Sequence, residues 1–210
     1  MIHSAHDKIQ RKINRSKPGS ILFPSDFRGM GSDIAIKNAL SRLAKAGKID
    51  RLAHGLYYLP EHDPKFGKLL PSLEKIAQAV AQRDHVRIKP AGAFAIHKLG
   101  LSTQVPMKQV YITSGQPKRL KMGTGIIVFK STTAKKLALK GPISSLVIQA
   151  LEEIDPKDIE LDPGLREKIT KLLATESPSL LQHDLKLAPA RISDFIFKLI
   201  IQNKHFTQTD

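Results

Sequence analysis

An α+β fold is predicted from this sequence, with a small N-terminal domain, a mixed middle domain and a helical tail. Apolar residues make up 41% of the 210 residues, as in proteins that bury a hydrophobic core. As far as residue 154, apolar residues at helical spacing alternate with short runs typical of β-strands. After Asp155 only the helical spacing remains, and it includes a regular apolar stripe between Ile192 and Ile200.

The first sixty residues give the clearest order of elements. The predicted elements are a helix over residues 2–13, a strand over 21–23, a short helix from 24, a longer helix over 33–46 and a hairpin over 49–59. Gly47 is placed to end the longer helix, and Gly55 to turn the hairpin. This order is typical of a winged helix-turn-helix, so residues 1–60 are predicted to form that DNA-binding domain.

Three further regions follow this domain. A linker is predicted over residues 61–71, because prolines and a glycine interrupt any regular pattern there. Residues 72–154 are predicted to form a mixed α/β domain, in which helices alternate with strands and a hairpin turns at residues 123–125. Residues 155–210 are predicted to be a helical C-terminal region.

The helix predicted over residues 33–46 has two different faces. Its apolar face is predicted to pack on the preceding helices and consists of Ile36, Ala39, Leu40 and Leu43. The opposite face carries only positive charges, whereas solvated helix faces ordinarily mix both signs. Lysine and arginine contact phosphates, and arginine and asparagine also read base edges in the major groove. We therefore predict a recognition helix, in which Arg42 and Asn38 read the bases.

The predicted hairpin extends this basic surface. A wing of this kind lies along the DNA backbone or enters the minor groove. The predicted DNA-contacting residues of helix and wing are Ser32, Lys37, Asn38, Ser41, Arg42, Lys45, Lys48, Arg51, His54 and Gly55.

The net charge favours a polyanionic partner. The chain has 34 lysines and arginines against 19 acidic residues, a net charge of +15. Residues 1–60 hold 11 basic and 4 acidic residues (+7), residues 61–140 hold 15 and 4 (+11), and residues 141–210 hold 8 and 11 (−3). A positive field of this size favours DNA, RNA or an anionic membrane surface, although a basic surface also serves solubility alone.

The middle of the chain adds a second basic group. Lys118, Arg119 and Lys121 lie around the hairpin that turns at residues 123–125 and are predicted as additional anion-binding residues. A longer DNA footprint, RNA, an acidic partner and a plain solvated surface remain alternatives for this group.

Seven segments occur together along the chain. They are residues 21–27 (ILFPSDF), 39–43 (ALSRL), 47–49 (GKI), 55–60 (GLYYLP), 89–95 (KPAGAFA), 99–106 (LGLSTQVP) and 110–115 (VYITSG). Together they resemble the AbiEi-type antitoxins of abortive-infection (type IV) toxin–antitoxin systems, over about residues 5–152. The LGLSTQVP run is the most specific of them, and the tail after Asp155 has no counterpart.

The resemblance implies two linked roles. The winged helix would bind the promoter of its own operon and repress it, through Lys37, Asn38, Ser41, Arg42 and wing residues 51–55. The middle domain would be antitoxin-like and would oppose a nucleotidyltransferase toxin encoded beside it. The resemblance leaves open whether the antitoxin contacts the toxin directly.

Two other functions remain as alternatives. One is a stand-alone transcription regulator whose second domain senses a ligand or a partner. The other, an enzyme acting on nucleic acid, is disfavoured because residues 61–140 hold only four scattered acids, whereas metal-dependent nucleases need clustered carboxylates. The chain has no cysteine, its eight histidines are scattered, and it lacks GxxxxGK[ST] and GxGxxG motifs. We therefore expect no catalytic residue, no metal site and no cofactor.

The sequence also predicts a cytoplasmic protein without a membrane partner. No stretch approaches the roughly 18 apolar residues that span a bilayer, and the first residues lack the apolar run of a signal peptide. The lack of cysteine is consistent with a reducing compartment.

Overall fold

The computed structural model describes residues 4–206, apart from the side chains of residues 156, 157 and 202–206. It has an α+β fold, as predicted. Contacts divide the chain into two compact units: the first runs to Val80 and includes Leu120–Gly123, and the second contains Ala81–Arg119 and the chain from Thr124 onward. Within residues 4–206, no helix is long and apolar enough to cross a membrane.

The first unit begins with two long helices and a small antiparallel sheet. Its elements are helix α1 (Ala5–Asn14), strand β1 (Ile21–Leu22), a 3-10 helix (Pro24–Phe27), helix α2 (Asp33–Lys45), and strands β2 (Asp50–Ala53) and β3 (Leu56–Tyr58). The sheet has the order β1-β3-β2, and both pairings are antiparallel. The elements follow the predicted order, although the second helix is a single 3-10 turn. The predicted start of α1 at Ile2 lies outside the described residues.

Local hydrogen bonds and apolar stripes explain these helices. Helix α1 begins with a capping box, in which the Ser4 hydroxyl accepts from the Asp7 amide and the Asp7 carboxylate accepts from the Ser4 amide. The predicted apolar stripe of α2 is confirmed as buried. One apolar cluster in the core of this unit consists of Ile9, Ile13, Leu22, Phe27, Ile36, Ala39, Leu40, Leu43, Ile49 and Tyr57.

A second hairpin replaces the linker that was predicted over residues 61–71. It consists of β4 (Glu61–Asp63) and β5 (Gly67–Leu69), which pair antiparallel. The Asp63 carboxylate accepts hydrogen bonds from two backbone amides in the turn, and Lys68 Nζ lies 2.6 Å from Asp50 Oδ1 of β2. The strands are three residues each and β5 is wholly exposed, so no apolar alternation marks them in the sequence.

Helix α3 (Leu73–Arg83) leads into the second unit, which contains most of a four-stranded sheet. The strands are β6 (Ile88–Ala91), β7 (Lys108–Thr113), β8 (Lys118–Met122) and β9 (Gly125–Ser131), in the order β6-β7-β9-β8. Strands β6 and β7 are antiparallel, whereas β7 and β9 are parallel, with Thr113 opposite Ser131. The carboxyl ends of β7 and β9 therefore lie at the same edge of the sheet.

Seven helices complete this unit within the described residues. They are α4 (Ala93–Lys98), α5 (Ala134–Leu137), α6 (Ser144–Leu151), α7 (Pro156–Leu161), α8 (Pro163–Ala174), α9 (Pro178–Leu187) and α10 (Ala190–Phe206). Pro90 lies in β6, which is an edge strand where a missing amide hydrogen is tolerated.

The helical tail does not form a core of its own. Residues 155–210 were predicted as a separate region, but apolar residues of α8, α9 and α10 share one core with α4 and α6. In α10 the predicted stripe is confirmed, since Ile192, Phe195, Ile196 and Leu199 are buried and Ile200 is half-buried. A domain boundary at residue 154 would divide this core.

Two buried carboxylates of the tail hold the loop that precedes α6. Asp184 accepts hydrogen bonds from the amides of Lys140 (2.7 Å) and Gly141 (2.9 Å) and from the Ser144 hydroxyl (2.6 Å). Glu176 accepts from the amides of Ile143 (2.8 Å) and Ser144 (2.9 Å). The first amides of a helix have no partner within it. Glu176 satisfies amides at the start of α6 from 32 and 33 residues away, and Asp184 holds the preceding loop from 43 and 44 residues away.

Candidate nucleic-acid interface

The outer face of α2 brings together the residues predicted to contact DNA. Helical spacing of three and four residues places them on one side, opposite the buried stripe. Lys37, Asn38, Arg42 and Lys45 are exposed, and Ser41 is half-buried among them. The face is therefore both accessible and continuous over the length of the helix.

The positive charges of this face have no acidic partner in the described part of the chain. Lys37, Arg42 and Lys45 form no ion pair with a described residue. The acidic residue of α2 is Asp33 in its first turn, where a negative charge interacts favourably with the helix dipole. The cationic groups are thus available to an external anion.

Ile34 is a residue of this face that the sequence prediction missed. Its side chain is 73% exposed, although isoleucine is ordinarily buried. It lies three and four residues before Lys37 and Asn38, in the first turn of α2. An apolar side chain at this position can contact a thymine methyl group. In the sequence, Ile34 is an apolar residue that does not fit the spacing of the buried stripe, and this mismatch could have indicated that it is exposed.

Ser32 has a structural role that the prediction did not assign. Its hydroxyl accepts a hydrogen bond from the Ala35 amide at 3.3 Å and caps the N-terminus of α2. The side chain remains exposed, so the cap lies at the edge of the candidate interface.

Replacing Ser32 by alanine is expected to lower the free energy of unfolding by about 1 kcal/mol, because the Ala35 amide loses its partner. Urea denaturation followed by far-ultraviolet circular dichroism measures this change. Ser32→Asn is the control, since asparagine caps helices about as well as serine. Equal losses in both variants would contradict the capping role.

Exposed basic side chains also lie just before and within the hairpin β2–β3. Lys48, Arg51 and His54 are exposed, and Arg51 Nη2 lies 3.4 Å from His54 Nδ1. Gly55 turns the hairpin with φ = +66°, a conformation that other residues adopt only with strain. Arg28, which no sequence pattern singled out, is exposed in the turn between the 3-10 helix and α2.

The three residues predicted as an additional anion-binding group differ in their surroundings. Arg119 and Lys121 are exposed. Lys118 is half-buried, forms an ion pair with Asp84 and lies over the ring of Phe129. Side chains alternate between the two faces of a β-strand, so Lys118 and Arg119 point to opposite sides of β8. Lys118 is therefore not part of an open basic surface.

Among the side chains that the structure describes, no three histidine or acidic residues lie close enough to hold a metal ion.

The fold and this face define a two-unit α+β protein with a helix that buries one face and exposes lysine and arginine side chains on the other. The chain belongs to DUF6088, a family of unknown function whose model matches residues 8–181. No curated protein matches the sequence. Among solved structures, the fold is similar to that of the RV2827C protein from Mycobacterium tuberculosis, with a TM-score of 0.54 and 18% identity over 95% of this chain and 77% of that chain. At this identity the likeness concerns the fold alone.

Proposed function

We propose that this protein is the antitoxin of a type IV (AbiE-like) toxin–antitoxin system, which represses its own operon and counteracts a nucleotidyltransferase toxin. The observation that carries the DNA-binding part is the exposed face of α2, whose cationic residues have no acidic partner among the described residues. A DNA-binding repressor of this kind acts in the cytoplasm and needs neither a membrane nor a cofactor.

In this proposal the first unit is a winged helix-turn-helix. The order of α1, β1, the 3-10 helix, α2 and the hairpin β2–β3 supports it. Helix α2 would enter the major groove, where Arg42 and Asn38 read base edges. The lysines of α2 and Arg51 of the wing would contact phosphates, which supply affinity without sequence information.

The phosphate contacts can be tested by salt dependence. Gel-shift titrations of the operon's upstream DNA at several salt concentrations measure the slope of log affinity against log salt. Arg51→Gln and Lys45→Gln are each expected to reduce this slope by roughly 0.9, because each removes one phosphate contact. Lys168→Gln is the control, since Lys168 is an exposed residue of α8 in the other unit. Slopes equal to that of the wild type in both variants would contradict the proposed interface.

The antitoxin role rests on the resemblance of residues 89–115 to the domain that follows the winged helix in AbiEi-type antitoxins. Co-expression with the adjacent gene product, scored for growth, tests it. A Lys37→Gln, Lys45→Gln double variant is expected to lose repression but still rescue growth, because neutralisation is assigned to the second unit. Failure of this folded variant to rescue growth would contradict that division of roles.

A stand-alone regulator with a ligand-sensing second unit is the alternative, and a polar cleft in that unit favours it. The neighbouring gene distinguishes the two proposals. A nucleotidyltransferase gene beside this one supports the antitoxin, and its absence supports the regulator.

A further inference from the structure

The second unit contains a cleft of about 640 Å³ at one edge of its sheet. The last residues of β7 and β9 and the residues that follow them line much of it, because these parallel strands end at the same edge. In sheets with parallel strands, ligands bind outside the carboxyl ends of the strands. The volume lies within the range of about 300–1,000 Å³ that is usual for small-molecule sites. The lining residues are Asp84, Val86, Thr113, Ser114, Gly115, Gln116, Lys118, Ser131 and Thr132.

Hydrogen bonds hold the loop after β7 in place. The Gly115 amide donates to Thr113 Oγ1 at 3.0 Å, and Ser131 Oγ donates to the Gly115 carbonyl at 2.9 Å. A Cβ atom on Gly115 would lie 2.6 Å from Val86 Cγ1, so this position accommodates only glycine without a shift. The cleft is therefore formed before any ligand arrives.

The hydroxyl groups of Ser114 and Thr113 act as acceptors within the protein, so each keeps its hydrogen for a further partner. Ser114 Oγ accepts a hydrogen bond from the Arg87 amide at 2.9 Å, and Thr113 Oγ1 accepts from the Gly115 amide. A hydroxyl has one hydrogen to donate, and accepting a bond leaves that hydrogen for another partner. Together with the Thr132 hydroxyl and the Lys118 ammonium, these groups favour a ligand rich in anionic oxygens.

Asp84 gives the cleft a second, opposite preference. Its carboxylate pairs with Arg83 Nε at 2.7 Å and with Lys118. Burial opposes its charged form, but the hydrogen bonds and charges of Arg83 and Lys118 lower the pKa of Asp84, so it is ionised at neutral pH. An ionised carboxylate only accepts hydrogen bonds and therefore suits the hydroxyl or amine groups of a ligand.

We propose that this cleft binds a nucleoside monophosphate, with its phosphate at Ser114, Thr132 and Lys118 and the donors of its sugar or base at Asp84. The two preferences of the cleft, for anionic oxygens and for hydrogen-bond donors, occur together in such a molecule. The proposal concerns the second unit and does not depend on DNA binding by the first.

Isothermal titration calorimetry of the full chain without DNA tests this binding. The probes are AMP, GMP, CMP and UMP, with inorganic phosphate, ribose 5-phosphate and adenosine as partial ligands. At least one nucleotide is expected to bind about tenfold or more tightly than adenosine, because a hydrogen-bonded charged group contributes more than 1 kcal/mol. Lys118→Gln and Thr132→Val are each expected to weaken nucleotide binding by about tenfold. Lys168→Gln removes the same charge on α8 and is expected to bind as the wild type does.

Several results would overturn the proposal. One is the absence of binding by all four nucleotides, and another is adenosine binding as tightly as AMP. If inorganic phosphate binds as tightly as every nucleotide, the sugar and base contribute nothing, and the proposed contact with Asp84 is wrong. If Lys118→Gln fails to fold, the Thr132→Val variant alone tests the phosphate contact. Valine has nearly the shape of threonine, so this variant removes the hydroxyl without a large change in packing. Unchanged affinity in Thr132→Val would place the ligand elsewhere.

Discussion

Replacing Arg42 by alanine is expected to weaken binding to the operon's upstream DNA by roughly 1–3 kcal/mol. The Arg42 side chain is exposed in the last turns of α2 and forms no ion pair with a described residue. Its loss therefore removes an external contact without disturbing the core of the unit. Gel-shift titration with upstream DNA and with a scrambled duplex, at one salt concentration, measures the loss.

Two further variants separate base reading from charge. Arg42→Lys keeps the positive charge but not the planar fork that pairs with guanine. It is expected to bind the scrambled duplex as the wild type does and to lose most of the preference for upstream DNA. Lys168→Ala is the control for loss of an exposed charge outside the interface. Unchanged preference in Arg42→Ala would remove Arg42 from the base-reading set.

Replacing Asp184 by alanine is expected to lower the free energy of unfolding of the second unit by roughly 1–3 kcal/mol for each buried donor that it leaves without a partner. Asp184 is fully buried and accepts hydrogen bonds from two amides, from the Ser144 hydroxyl and from His183 Nδ1. Alanine accepts none of them, so several buried donors lose their partner at once. Urea denaturation measures the loss. Asp194→Ala, at an exposed position of α10, is expected to change stability little, and a similar loss there would contradict the argument.

The contribution of Asp184 depends on pH in a defined direction. Burial opposes its charged form, but hydrogen bonds from Ser144, His183 and the amides of Lys140 and Gly141 lower the pKa of Asp184 in the folded chain. A lowered folded pKa stabilises the fold above the unfolded pKa of about 3.9, and this stabilisation is lost as the pH falls further.

The difference in stability between wild type and Asp184→Ala is therefore expected to be largest at neutral pH. It should shrink below about pH 4, as the carboxylate becomes protonated. Lys89 and Glu176 also face this site, so only the difference between the two proteins isolates Asp184. Denaturation at a series of pH values measures it, and a difference that grows toward acid pH would contradict the assignment.

Local patterns explain what the sequence could predict. The buried stripes of α2 and α10 follow from apolar spacing within one helix, so they were predicted residue by residue. The exposed cations of α2 follow from the same spacing. The hairpin β4–β5 could not be predicted in this way, because short exposed strands carry no apolar alternation.

Long-range contacts explain what the sequence could not predict. The sequence shows Glu176 and Asp184 only as two acidic residues of the tail. Their hydrogen-bond partners lie 32 to 44 residues earlier, so local patterns do not indicate these bonds. The pairing of Lys118 with Asp84 spans 34 residues, so a charge pattern alone could not separate Lys118 from Arg119. The sequence likewise does not show that β7 and β9 are parallel, and the cleft follows from that pairing.

The loop before α6 has a consequence for the order of events during translation. The apolar cluster around α1 and α2 has all of its buried members by Tyr57, so it can form early in synthesis. The backbone amides and the hydroxyl around Ser144 have no hydrogen-bond partner until Glu176 and Asp184 have been synthesised, which happens much later. We expect nascent or stalled chains between these points to carry this folded core beside an incomplete second unit. If the proposed DNA binding by the first unit holds, such fragments are expected to compete with the finished protein for DNA.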